Sequence, residues 1–156
     1  MATTTATITL ASSDIADNSF SVSNTATLTT AGTDTGISET TGLGRKKVAS
    51  ASNIVLLDGG VTSGIAADVT ADKSAKVYIK NMNDRGDGTK YVNILLAAVE
   101  IGRLYGGDWM FFPWDADAVA LDANDSAVEA QAFTHAVVLE YCLFHNGETR
   151  PTSDDS

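Results

Sequence analysis

Apolar and polar residues alternate with a period of two along much of this chain. Such alternation marks strands with one covered face. It begins at Thr7-Ile8-Thr9-Leu10 and returns where Phe20, Val22, Ala26 and Leu28 interleave with Ser19, Ser21, Ser23, Thr25 and Thr27. Asp14 to Asn18 is the predicted turn between them. The apolar side chains here are small and few, which predicts an N-terminal hairpin lying on the main body; an arm packing on a neighbouring subunit is the alternative. Asn53 to Leu57 reads as a short buried strand ended by Asp58-Gly59-Gly60. Val61 to Lys73 is weakly patterned, with Ile65 and Val69 as core candidates. The clearest hairpin pairs Ala75–Asn81 with Tyr91–Ala98. Val77 and Ile79, matched to Val92, Ile94 and Leu96, give a common core face, because a slip of one residue would expose both sets. The outer face would then present Lys76, Tyr78, Lys80, Tyr91 and Asn93.

Tyr105 to Asp115 holds both tryptophans and two of the five phenylalanines. Gly106-Gly107 is a turn signal, since glycine accepts positive φ, and the aromatic run after it suits a buried strand that Pro113 ends or keeps at an edge. This stretch is the expected folding anchor. Ala118 to Leu121 reads as another strand. Ser126 with Glu129 three residues on has the form of a capping box, which predicts one or two helical turns. Val137, Leu139, Tyr141 and Leu143 alternate with Val138, Glu140, Cys142 and Phe144 in a long final strand. With about eight to ten strands and no convincing long helix, the fold class is an all-β antiparallel sandwich or jelly roll with an extended N-terminal hairpin or arm. Its divisions are a hairpin, arm and loop over 1–44, a core domain over 45–150 and a polar tail over 151–156.

Charge narrows the functions. The 156 residues carry 20 acids against 10 Lys and Arg, a net charge of −10. Such a surface repels phosphate backbones, so no direct nucleic-acid partner is expected. The one basic cluster, Arg45-Lys46-Lys47, is either a solvated strand end or an electrostatic foot for an acidic partner such as a protein shell. The single cysteine allows no internal disulfide. Neither a signal peptide nor a membrane-length apolar run is visible, which predicts synthesis in a cytoplasm and no membrane partner.

No constellation of residues argues for catalysis. Asn81 to Gly88 resembles a calcium loop only superficially: Arg85 stands where an oxygen ligand belongs and Val92 where the bidentate glutamate would be. Weak calcium binding by Asp84 and Asp87 is the residual option. Arg85-Gly86-Asp87 is also an adhesion tripeptide, but Gly-Asp-Gly is ordinary turn chemistry. Strand period sets Cys142 opposite His135 and His145, against both zinc ligation and a Cys–His pair. Asp115, Asp117, Asp122 and Asp125 would serve a glycosidase only within a cleft. The expectation is a protein that is not an enzyme and carries no cofactor.

Several segments carry a family likeness: Lys76-Val77-Tyr78-Ile79-Lys80-Asn81; Glu100-Ile101-Gly102-Arg103-Leu104-Tyr105-Gly106-Gly107-Asp108; Phe111-Phe112-Pro113-Trp114; and Leu139-Glu140-Tyr141-Cys142-Leu143-Phe144. Together they resemble the capsid decoration (cement) proteins of tailed bacteriophages, especially phages of marine bacteria and cyanobacteria. The likeness covers roughly the second half of the chain. It implies a β-sandwich on the capsid exterior of a virion, partnered by the major capsid protein and by itself as a homotrimer. A neck or tail adaptor or a head fibre is the alternative role, and a receptor- or glycan-binding domain a more distant one. Arg45, Lys46, Lys47, Lys76, Tyr78, Lys80 and Tyr91 are the residues expected at protein interfaces.

Overall fold

The computed structural model describes residues 3–13, 19–29, 39–40, 42–49, 53–57, 75–114 and 127–145. The sequence-predicted turns at 14–18 and 58–60, the stretch 61–73, the strand 118–121, the acids Asp115, Asp117, Asp122 and Asp125, and the tail 151–156 lie outside the described residues. Among the described residues there are eleven strands and no helix. They are β1 (Thr3–Ser12), β2 (Phe20–Thr29), β3 (Glu39–Thr40), β4 (Gly44–Val48), β5 (Asn53–Leu57), β6 (Ala75–Asn81), β7 (Val92–Leu96), β8 (Val99–Leu104), β9 (Trp109–Trp114), β10 (Val128–Ala132) and β11 (Val137–His145).

β1 and β2 form a two-stranded antiparallel ribbon. The other strands build a β-sandwich. One sheet runs β3-β11-β6-β9, with β4 also pairing β11, and the other runs β5-β10-β7-β8. β3 falls within the segment assigned to the arm and loop, yet Glu39 and Thr40 pair with His145 and Phe144 of the sandwich. Both sheets turn their apolar positions to one core. Val77, Ile79, Leu139 and Leu143 from the first meet Leu56, Val92, Ile94 and Val128 from the second, all fully buried. At about 25 cal/mol per Å² of apolar area removed from water, this burial is the main stabilising term.

The expected hairpin of 75–81 with 91–98 does not form. β6 pairs with β11 and β9, whereas β7 pairs with β8 and β10. Their apolar sets do share one core, but they face each other across it. The cause lies at Asn81, whose side chain is fully buried. Its amide nitrogen donates to the carbonyls of Lys90 (3.0 Å) and Leu104 (3.1 Å), and its amide oxygen accepts from the Asn83 backbone N–H (3.0 Å). Its own backbone exchanges bonds with Asp108 and Gly107 (2.9 and 3.0 Å). These bonds steer the chain out of β6 and across to the opposite sheet.

Within the predicted strand 91–98, Ala97 and Ala98 instead make the turn into β8, with φ of 49° and 62°. Positive φ at both central residues is the type I′ requirement, normally met by Asn-Gly. Two alanines adopt it here because Ala97 N–H bonds the Ala127 carbonyl (3.0 Å) and Ala98 N–H bonds Glu129 Oε2 (3.1 Å). Glu129 therefore does not box a helix. Val128–Ala132 is a strand between β5 and β7, and the carboxylate satisfies a turn N–H across the sheet.

The aromatic anchor is only partly buried. Trp114 is 4% exposed, but Trp109 is 51% exposed, because alternation along β9 sends Trp109, Phe111 and Pro113 outward and Met110, Phe112 and Trp114 inward. Of the two turn glycines, Gly107 has φ of +80°. Gly106 is needed for another reason: a Cβ there would lie 2.2 Å from the Asp84 carbonyl oxygen.

Three stability measurements follow from these contacts. Asn81→Ala leaves two inward-facing carbonyls without a donor and is expected to lower the unfolding free energy by about 3 kcal/mol. Gly106→Ala is expected to cost more than about 2 kcal/mol, against little for Gly88→Ala, where a Cβ meets open space. Ala98→Gly relieves left-handed strain and is expected to raise stability by about 1 kcal/mol in urea titration.

Candidate protein-binding face

β4, β11, β6 and β9 lie side by side, and cross-strand partners in an antiparallel sheet point to the same face. The register sets Arg45 beside Glu140, Glu140 beside Lys80, and Lys80 beside Trp109. Four residues along, Phe144, Lys76 and Pro113 form another row, with Cys142, Tyr78 and Phe111 between the two. Lys47 stands opposite Val138 at the far end. Among the described residues the outer face of this sheet thus gathers Arg45, Lys47, Lys76 and Lys80, four of the ten Lys and Arg residues, around one carboxylate, Glu140. The whole chain carries ten Lys and Arg against 20 acids.

Tyr78, Phe111 and Phe144 lie half-buried between these charges, and Phe111 meets Phe144 edge-on with ring centroids 6.4 Å apart. Tyr78 ionises above its ordinary value of 10.0, first because partial burial desolvates the phenolate and then because Glu140 repels it. Arg45 bonds one Glu140 oxygen through both Nε and Nη2 (3.0 and 2.9 Å). With the Arg45 side chain 65% exposed, such a pair contributes only about 0–1 kcal/mol. It is easily exchanged for a partner's carboxylate.

Five of the seven residues expected at interfaces therefore converge: Arg45, Lys47, Lys76, Tyr78 and Lys80. Lys46 does not join them. It alternates to the opposite side of β4, where its Nζ donates to the Val55 carbonyl of β5 (2.9 Å) and links the two sheets. Tyr91 also stands apart, beside the second sheet. There it packs with Tyr105 and Phe133 (centroids 5.7 and 6.0 Å), with the Arg103 guanidinium 4.3 Å over its ring. A hydrogen bond with Tyr105 raises the Arg103 pKa further. Asn93, expected on an exposed face, is instead buried, its amide engaged by Glu100 and Arg103. The sequence reading missed Val138, Phe144, Trp109 and Phe111 as members of the basic face. Their alternation was visible, but not that β6 is flanked by β11 and β9.

The motifs weighed for other chemistry are absorbed by local structure. Arg85 pairs with Asp108, while Asp87 accepts from Thr89 N–H (3.1 Å) and the Thr89 hydroxyl and pairs with Lys90 (3.2 Å). The Thr89 bonds, foremost among these contacts, hold the Asp87 carboxyl below its usual range. Cys142 and His145 occupy opposite faces of β11, and Cys142 Sγ lies 3.1 Å from Thr40 Oγ1. Among the described residues no three His, Cys, Asp or Glu side chains come together as metal ligands would.

Comparison with protein-family models, with curated proteins and with solved structures returns no match.

Ultraviolet titration of the phenols checks the electrostatics of the face. Tyr78→Phe is expected to remove a component ionising above pH 10, and Glu140→Gln to shift that component part of the way back down.

Proposed function

We propose that this chain is a virion structural protein that binds the outside of a phage head and stabilises it, docking through the outer face of the β4-β11-β6-β9 sheet. The observation that carries the proposal is the gathering of four cations and several half-exposed rings on one sheet face of a chain with net charge −10. Such a face fits an acidic protein surface. Opposite potentials steer the encounter and set its orientation, and the aromatic side chains supply area to bury once water is displaced.

The strand order supports a finer reading of the architecture. Eight strands alternate as β4-β11-β6-β9 in one sheet and β5-β10-β7-β8 in the other, and sequence neighbours mostly cross between sheets. This order of two interlocked Greek keys supports reading the sandwich as a jelly roll, an architecture found in capsid and lectin domains. The resemblance in the second half of the chain points the same way and adds the major capsid protein and further copies of this chain as partners. Stabilisation would then follow mass action: a protein that binds the mature shell, and not its dissociated subunits, shifts the equilibrium toward the shell in proportion to its occupancy.

The test is binding of the recombinant protein to bare expanded capsids, with thermal stability of the capsid as a second readout. The wild type is expected to cosediment with capsids and raise their disruption temperature. Lys76→Glu with Lys80→Glu should weaken binding by at least about tenfold without lowering the melting temperature of the free protein. Raising NaCl from about 0.05 M to about 0.5 M should weaken it as well. Binding indifferent to both changes would overturn the docking face, and low copy number at one vertex of the virion would turn the role toward a neck or tail adaptor.

A further inference from the structure

The N-terminal ribbon has two unlike faces. Its register sets Thr7 opposite Thr25 and Thr9 opposite Ser23 on one side, with cross-strand hydroxyl bonds of 3.0 and 3.2 Å. On the other side Leu10 lies opposite Val22, Ala6 opposite Ala26, and Ile8 opposite Asn24. This apolar side remains uncovered: Leu10 is 56% exposed, Val22 55% and Ile8 38%. Two-stranded ribbons are marginal in water without a surface to lie on. Ile8 and Leu10 also line an open cleft with Leu104, Trp109, Met110 and Phe111, together with the charged side chains of Arg85, Arg103 and Asp108. The apolar stripe therefore continues from the ribbon onto half-exposed Trp109.

Charge identifies the occupant. The twenty residues of β1 and β2 contain no ionisable side chain, in a chain of net charge −10. In a cyclic oligomer each residue near the symmetry axis meets its own copies. Charged surface placed there meets like charge, and the ribbon presents none. An acidic or basic partner would gain nothing from a ribbon without charge, whereas a second copy gains an apolar contact free of self-repulsion.

We infer that the ribbon is the surface through which copies of this chain hold one another, their apolar faces turned together about the symmetry axis. This rests on the self-association part of the function proposed above and names its contact. It takes up Trp109 at the β9 side of the basic sheet and leaves the cations of β4 and β6 free for the shell.

Sedimentation velocity of the full chain over about 1–100 µM tests it, in the range of a micromolar contact. Wild type is expected as a dimer or trimer. Leu10→Asp and Val22→Asp should each weaken self-association by at least about tenfold, with the melting curve of the sandwich unchanged. Ser21→Asp, which adds the same charge to the hydroxyl face, should keep the wild-type mass. Higher salt should leave the association intact or tighten it, opposite to its effect on shell binding. Tryptophan emission should shift to the blue with concentration as Trp109 is covered, Trp114 being buried already. A wild type that stays monomeric throughout overturns the inference, and so does equal loss in Leu10→Asp and Ser21→Asp. An oligomer untouched by Leu10→Asp and Val22→Asp overturns the ribbon contact while leaving self-association standing. A monomer in solution whose Leu10→Asp variant alone fails to bind capsids would assign the ribbon to the shell instead. Shell binding that fails while the ribbon variants dissociate the oligomer would sink the docking face and spare this contact.

Discussion

The buried amide of Asn81 is the constraint on which the arrangement of the sandwich turns. One side chain supplies two donors and one acceptor, and all three go to backbone groups in different places: the approach to β7, the end of β8 and the first residues after β6. The backbone of the same residue grips the turn that leads into β9. A neutral amide suits this position because both halves of its hydrogen-bonding capacity are spent, whereas a carboxylate would face two carbonyl oxygens. Breaking this set would strand polar groups at the junction between the sheets, a penalty that hydrophobic packing nearby does not offset. At that end this residue ties the two sheets together through the approach to β7 and the end of β8.

The boundaries of the sandwich explain why contact through faces is favoured over contact through edges. Edge strand β4 turns Lys46 inward, β9 carries Pro113, and β8 is interrupted by a bulge at Ile101, which lacks a partner between Glu100 and Gly102. Each device discourages another strand from adding to the sheet. The basic sheet and the ribbon present side-chain-lined faces instead.

Much of this was legible in the residues, and the failures have physical causes. Alternation located β2, β6, β7 and β11, and the inward positions of the last three, because a strand's period is a local property. Pairing was not legible, since the inner faces of both sheets read alike and most partners of β6 and β7, like the Leu104 carbonyl that Asn81 bonds where the two part, lie far off in sequence. The Ala97-Ala98 turn carried no signal, as alanine is a poor choice for positive φ and the bonds that hold it come from Ala127 and Glu129. Glu129 misled for the same reason: its carboxylate serves a backbone N–H thirty-one positions away. Of the candidate face, the members on β4 and β6 were visible as clusters of cations. Those on β9 and β11 needed the sheet order.

The gathering of four cations around Glu140, on one described face of a chain with net charge −10, has a consequence for motion as well as for contact. The molecule is an anion that carries a local patch of the opposite sign. In a field that varies over nanometres it experiences a torque before any side chain touches, and the torque turns the same sheet forward in every copy. Arrivals are thereby pre-sorted by rotation, and fewer collisions are wasted on the wrong side.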